Sequence, residues 1–379
     1  MKLVNLILFL FLSFSLISQN TNEYRVSVYN CYVVRNYSKL PPIKPGYAAE
    51  FSIGQNLNGE KSWHKYYNYP TFYVSVFGGY PGNKEYGYFF SLSPQFLFTK
   101  PLNDKLFFNL KTGLSIAYHT NVYDVTDNAS NMLIGSHLTA IANIEAGFNF
   151  EFVKNSFIGF GLGALHFSNG HCKLPNIGMN LPAVNIYYKY RLDEISILEK
   201  NEKDILLNNN WNYFAFVAVG MHEYGSSTKP ANGPKYRVYD LGFGISKQIN
   251  LIHKFYLGFN LLNYGSFKKF IIDQELNIGD PFLKSSAVTV FGAHEFMFGK
   301  FGLYTELGLD IYKPFYRYFV TIYGDKFGAK DILKSINSNK LGLRYRIIDA
   351  EEFKSVVGIN LKVNLAQADF IEIFYSFEF

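Results

Sequence analysis

The sequence predicts an all-β fold: an antiparallel transmembrane β-barrel of the bacterial outer membrane with about sixteen strands. Apolar residues alternate with polar residues or glycine in segments near the length of a tilted membrane-spanning strand. Aromatic residues form 18% of the 379 residues and charged residues only 17%, whereas soluble domains carry about 25% charged residues. The mean hydropathy of −0.01 is too low for a bundle of membrane helices. Short turns and long loops also alternate along the chain, as in outer-membrane barrels.

The alternation is clearest in the segments 138–152, 303–312 and 357–365. A soluble sandwich with this pattern would bury its apolar face and expose its charges. In an outer-membrane barrel the apolar face meets lipid and the polar face lines the interior. In the first segment the predicted lipid face consists of Leu138, Ala140, Ala142, Ile144, Ala146, Phe148, Phe150 and Phe152. The carboxylates expected to form a hydrogen-bond network inside the barrel are Glu145, Glu151, Glu306 and Asp310.

The connections between strands give the organisation of the chain. Tight turns are predicted near 100–101, 153–155, 248–252, 299–300 and 349–352, and long polar loops near 119–133, 169–180, 222–235, 265–285 and 313–339. The long loops are expected on the extracellular side. A charged, helix-prone segment at 193–210 predicts a periplasmic connector between a barrel half at 19–192 and another at 211–379. One barrel is favoured, because two would each have to close their own edges, and two eight-stranded units are the alternative.

Both ends of the chain fit an exported barrel. Residues 1–18 consist of one Lys near the start and a continuous apolar stretch, which predicts a signal peptide cut after Ser18. The last residues, FIEIFYSFEF, form a period-2 stripe that ends in Phe379. This ending resembles the closing strand of outer-membrane barrels, whereas the plainer interpretation is a half-buried edge strand.

The composition also restricts partners and cofactors. The net charge of +6 is spread without a basic run of five or more residues, so nucleic acid is not expected as a partner. Cys31 and Cys172 are interpreted as two free or buried thiols. Because the chain has no HExxH, CxxC or paired-carboxylate spacing, neither a metal site nor a cofactor is expected.

One stretch departs from the alternation at the end of the segment 156–168. The lipid face of this strand carries Ile158, Phe160, Leu162 and Ala164, and the same parity places His166 and Ser168 on that face. On the returning strand the lipid face includes Asn180. Polar side chains that face lipid are costly, but they are tolerated near the membrane interface. Three such residues at one rim therefore indicate a chemical role.

The residue types suit nucleophilic catalysis. A serine hydroxyl becomes a nucleophile when a histidine accepts its proton and a third group orients that histidine. Ser168, His166 and Asn180 fit these roles, and the backbone N–H groups of Asn169 and Gly170 are candidate oxyanion donors. The plainer interpretation is a pair of rim residues hydrogen-bonded to headgroup water. His171 in the following loop is a substitute base or a simply solvated side chain.

The motif His166-Phe167-Ser168-Asn169, followed by Lys173, Pro175-Asn176 and Gly178, resembles that of the outer-membrane lipid A 3-O-deacylases, also labelled acyloxyacyl hydrolases. The resemblance covers about residues 45–192. It implies an eight-stranded barrel that exposes a serine nucleophile and a histidine base on its outer surface and cleaves the 3-position acyl ester of lipopolysaccharide.

The same resemblance implies a role for each matched residue. Ser168 corresponds to the nucleophile, His166 to the general base and Asn169 to an oxyanion donor. The third member in the family is a glutamate, and the matching position here is Asn180, which carries no negative charge. The predicted function is therefore an outer-membrane hydrolase that removes an acyl chain from a lipid A-type glycolipid in the outer leaflet. The alternative is a non-catalytic barrel, either a pore or a surface-binding protein, with a degenerate motif.

Overall fold

The computed structural model describes residues 22–192, 197, 210–225, 227–228, 232–322, 327–350, 352–365 and 367–379. The predicted signal peptide at 1–18 lies outside the described residues, and so does most of the predicted connector at 193–210. No helix among the described residues is long and apolar enough to cross a membrane.

Sixteen strands form in the described residues, as the alternation predicts. They are β1 (Glu23–Tyr32), β2 (Pro45–Asn56), β3 (Thr71–Tyr80), β4 (Phe89–Pro101), β5 (Leu106–His119), β6 (Leu138–Val153), β7 (Ser156–Ser168), β8 (Met179–Arg191), β9 (Asn212–Glu223), β10 (Lys235–Gln248), β11 (His253–Tyr264), β12 (Ser286–Phe298), β13 (Phe301–Tyr312), β14 (Asn337–Asp349), β15 (Lys354–Asn364) and β16 (Gln367–Glu378). The turn expected at 100–101 follows Pro101, because β4 continues through that residue.

Short helices occupy several connections. They are α1 (Trp63–Tyr66), α2 (Gly265–Asp273), α3 (Pro281–Lys284), α4 (Phe315–Ile322) and α5 (Ala329–Ile336).

The strands close into two antiparallel barrels of eight strands each, β1–β8 and β9–β16. In the first barrel β1 pairs with β8, from Glu23 opposite Arg191 to Cys31 opposite Ala183. In the second, β16 pairs with β9. The preference for one large barrel is therefore wrong, and the alternative of two eight-stranded units is correct. Each unit leaves no unpaired edge because its last strand pairs with its own first strand.

The alternation sorts side chains between the two faces as predicted. On β6 the residues Leu138, Ile144, Phe148 and Phe150 are exposed on the outer face, while Glu145 is buried inside. On β16 the outer residue Ile373 is exposed and its neighbours Glu372 and Phe374 are buried. An apolar outer surface of this kind is what a barrel presents to hydrocarbon.

The interior of the first barrel is filled by paired charges and rings. Lys111 Nζ lies 2.5 Å from Glu50 Oε2, and Arg25 pairs with Glu145. The Tyr29 hydroxyl donates to both Glu50, at 2.5 Å, and Glu145, at 3.0 Å. Pairing is what makes buried charges tolerable, because an isolated one would carry the full cost of desolvation.

The second barrel is filled in the same way. Lys340 pairs with Asp240 and, at 2.8 Å, with Glu372, while the guanidinium of Arg344 lies 3.5 Å from the centre of the Tyr304 ring. The Tyr304 hydroxyl donates to Glu306 at 2.6 Å. These contacts occupy the middle of the barrel with side chains.

Of the four predicted interior carboxylates, Glu145 and Glu306 join these networks. Asp310 forms an ion pair with Lys313, whose Nζ lies 2.7 Å from Asp310 Oδ2. Glu151 faces inward as predicted, opposite the buried Phe157, but its carboxylate accepts from the backbone N–H of Asn155 at 2.7 Å and not from an interior side chain. It therefore stabilises the turn that follows β6.

Candidate active site

His166 and Asn180 face each other across neighbouring strands. β7 and β8 pair so that His166 lies directly opposite Asn180, and His166 Nδ1 lies 2.7 Å from Asn180 Oδ1. Because an amide oxygen only accepts hydrogen bonds, Nδ1 of the neutral ring carries the hydrogen and Nε2 keeps its lone pair. The ring is therefore oriented with Nε2 available as a base.

Ser168 ends β7, two residues after His166 and therefore on the same face of the strand. His166 is exposed, as expected for an outward residue, but Ser168 is only 5% exposed. Both side chains are predicted to project from the outer face of the barrel, but of the two only His166 is exposed there. The next residue, Asn169, donates from Nδ2 to Ser136 Oγ at 3.0 Å, so its side chain is held against the preceding loop.

Gly178 lies beside the His166 ring. Its φ of +80° is in the left-handed region, which favours glycine. A Cβ added there would meet His166 Cε1 at 3.0 Å and His166 Nε2 at 3.7 Å. The backbone N–H of Gly178 donates to Leu133 O at 3.2 Å, which anchors this part of the loop. Glycine at this position keeps the space next to Nε2 open.

Small side chains surround the His166 and Ser168 positions on the outer face, a feature that the sequence reasoning missed. Ala142 pairs in register with His166 and Ala140 with Ser168, and Ala164 precedes them on β7. Larger outward residues such as Leu162 lie farther from the motif, toward the start of β7. The signal was present in the alternation, because alanines replace bulky residues at the outward positions nearest to the motif.

Two family models match the chain. The model of the lipid A 3-O-deacylases, PagL, matches residues 47–191, and the model of the acyloxyacyl hydrolase C-terminal domain matches residues 210–333. The first barrel thus matches the lipid A 3-O-deacylase family, and most of the second barrel matches a domain described for acyloxyacyl hydrolases. The barrel fold and the family agree in placing the protein in the outer membrane. The first match coincides closely with residues 45–192, which the resemblance covers.

Several solved structures of outer-membrane proteins resemble parts of the chain weakly. The crystal structure of the outer-membrane enzyme PagL is 21% identical, with a TM-score of 0.32, and covers 44% of this chain and 98% of its own. The N-terminal barrel of Pseudomonas aeruginosa OprF is 15% identical, with a TM-score of 0.27, and covers 45% and 98%. A mutant of the hydrocarbon channel TodX is 9% identical, with a TM-score of 0.18, and covers 95% and 90%. No curated protein matches the chain significantly.

Residues 170–176, in the loop after the motif, belong to the second of the two compact units of the chain. His171 is buried there, and its backbone O accepts from the N–H of Glu223 at 3.1 Å. The interpretation of His171 as a solvated side chain is therefore wrong. Burial lowers the pKa of His171 below its usual value, since a charged ring would lose its hydration.

The two cysteines are free thiols, with Cys31 buried and Cys172 half-buried. In the part of the chain that the structure describes, no group of three or more His, Cys, Asp or Glu side chains is arranged to hold a metal ion.

Proposed function

We propose that the first barrel hydrolyses an acyl ester of a lipid A-type glycolipid from the outer leaflet, with Ser168 as nucleophile and His166 as general base. The supporting observation is the 2.7 Å hydrogen bond from His166 Nδ1 to Asn180, which orients the ring and leaves Nε2 as the basic nitrogen. The substrate class follows from the family, whose description names lipid A and the 3-O position.

In this mechanism His166 Nε2 takes the proton of Ser168 while the serine oxygen attacks the ester carbonyl carbon. The bond to the sugar oxygen then breaks, and His166 returns the proton to that oxygen. Water, deprotonated by His166, next attacks the acyl-serine and releases the fatty acid. The backbone N–H groups of Asn169 and Gly170 are the proposed donors to the developing oxyanion.

The outer face next to the motif suits an acyl chain. Ala140, Ala142 and Ala164 form a shallow surface on which a chain can lie close to the strands, while Leu162 and Ile144 continue the apolar wall. A lipid in the outer leaflet reaches this face laterally, so its ester need not leave the membrane.

The pore alternative has less support. The described interior of each barrel is occupied by buried ion pairs and rings, including Arg25 with Glu145 and Lys340 with Glu372. Eight strands enclose only enough room for such side chains. We expect no ion conductance from the purified protein in planar bilayers.

The test is mass spectrometry of lipid A from cells that express the protein. Wild-type protein should remove one acyl chain, and Ser168→Ala should leave lipid A intact. Ser156→Ala is the matched control, because Ser156 lies at the opposite end of the same strand. An identical acylation pattern with wild type and Ser168→Ala, at equal amounts of folded protein, would contradict the proposal.

A further inference from the structure

A second serine–histidine pair lies inside the second barrel. His222 Nε2 lies 2.5 Å from Ser266 Oγ, although the residues are far apart in sequence. His222 ends the inner face of β9, and Ser266 follows β11 in the first turn of α2. Both side chains are buried, at 5% and 0% exposed. The lipid-facing motif of the first barrel does not involve either residue.

A carboxylate completes this arrangement from a third element. Asp369 Oδ1, on β16, lies 4.0 Å from the other ring nitrogen of His222. The Tyr264 hydroxyl donates to Asp369 Oδ2 at 2.8 Å, and Lys362 Nζ donates to the same oxygen at 3.1 Å, so the carboxylate is held in one position. The order of groups, serine on one ring nitrogen and aspartate on the side of the other, is that of a hydrolytic triad, with the aspartate 4.0 Å away and beyond hydrogen-bond distance.

The backbone around Ser266 adds a further catalytic feature. A strand, β11, leads through Gly265 and Ser266 directly into α2, which has nine residues. The first turn of a helix presents backbone N–H groups without intrahelical partners, and no side chain caps this turn. Such groups next to a serine oxygen are positioned to stabilise an oxyanion.

Space for a ligand borders the serine. A cavity of about 210 Å³ adjoins the start of α2, lined by Ser266, Tyr224, Tyr236, Phe270, Lys269 and Asp273. Three rings give the cavity an apolar wall, and the exposed Lys269–Asp273 ion pair marks its solvent side.

We propose that the second barrel carries its own esterase site, in which Ser266 is the nucleophile, His222 the general base and Asp369 a positioning residue, for short-chain acyl esters that enter the aromatic cavity. His222 takes the proton of Ser266 as the serine oxygen bonds to the carbonyl carbon. The alcohol leaves with that proton, and water releases the acid from the acyl-serine through His222.

The experiment uses the full chain with Ser168→Ala, purified in detergent micelles, so that the first barrel does not contribute. A fluorophosphonate probe should label Ser266, located by peptide mass spectrometry, and p-nitrophenyl butyrate should be hydrolysed. Ser266→Ala should abolish both signals, and His222→Gln should lower kcat by about 100-fold or more. Ser355→Ala, another buried serine of the same barrel, should keep both.

Folding of each variant is checked by heat-dependent electrophoretic mobility. Ser266→Cys, which keeps the side-chain size, replaces Ser266→Ala if the alanine variant does not fold. Asp369→Asn should lower kcat about tenfold or more with KM nearly unchanged, whereas a purely structural role would not change kcat selectively. Absence of label on Ser266, or ester hydrolysis equal in the Ser266 variants and their parent, would overturn the proposal. Neither result bears on Ser168, which is absent from all of these proteins.

Discussion

Nδ1 of His166 lies 2.7 Å from Oδ1 of Asn180 on the neighbouring strand. The partner of the histidine is thus an amide where the family resemblance implies a carboxylate. An amide orients the ring but does not offset the positive charge that the ring acquires when it takes a proton.

Asn180→Glu should therefore raise the rate of lipid A deacylation, because a carboxylate stabilises the imidazolium that forms in the transition state. We expect an increase in kcat of about tenfold or more, measured with purified lipid A in mixed micelles. Asn30→Glu, which adds the same charge on the exposed face of β1, should leave kcat unchanged. If Asn180→Glu does not raise kcat, the absence of a carboxylate beside His166 is not what limits the rate.

Gly178→Ala should reduce deacylation by about tenfold or more while the barrel stays folded. The added Cβ would lie 3.0 Å from His166 Cε1, and a φ of +80° also strains alanine, at a cost of about 1 to 2 kcal/mol. The matched control is Gly292→Ala, since a Cβ at Gly292 meets nothing within 4 Å. Equal activity of the two variants would mean that the space beside His166 is not used.

Lys340→Met should destabilise the second barrel by about 3 to 5 kcal/mol. It removes the partner of Asp240 and Glu372 and leaves two buried carboxylates together. Thermal unfolding followed by circular dichroism should show an earlier transition. Lys330→Met, an exposed substitution on α5, should unfold like the wild type, and a similar midpoint for both variants would contradict the importance of the pairing.

Residues 19–192 alone should fold into a closed barrel. β1 and β8 are paired along β1 from Glu23 to Cys31, so the first unit closes without strands from the second. Refolding in detergent, followed by circular dichroism and heat-dependent mobility, measures this. A fragment that stays unfolded under conditions in which the full chain refolds would show that the proposed boundary near 192 is wrong.

Much of the local structure could be predicted because strand periodicity is a local property. The outward Phe148 and Phe150 and the inward Glu145 follow from a side-chain period of two residues. The same parity predicts that His166 and Asn180 both lie on the lipid face near one rim, whereas their position directly opposite each other comes from the strand pairing. Glu151 keeps this parity as well, but it lies at the end of β6, where its carboxylate accepts from the N–H of Asn155 in the turn.

The sequence by itself determined the strand content, the lipid-facing surface and the His166–Ser168 motif, because each depends on residues close together in the chain. Only the tertiary structure decided that β1 closes with β8 and β9 with β16, since eight or sixteen strands of the same pattern satisfy alternation equally well. It also brought Ser266, His222 and Asp369 together from three elements. Such contacts depend on strand pairing between distant segments, and the period-2 pattern within one strand does not predict them.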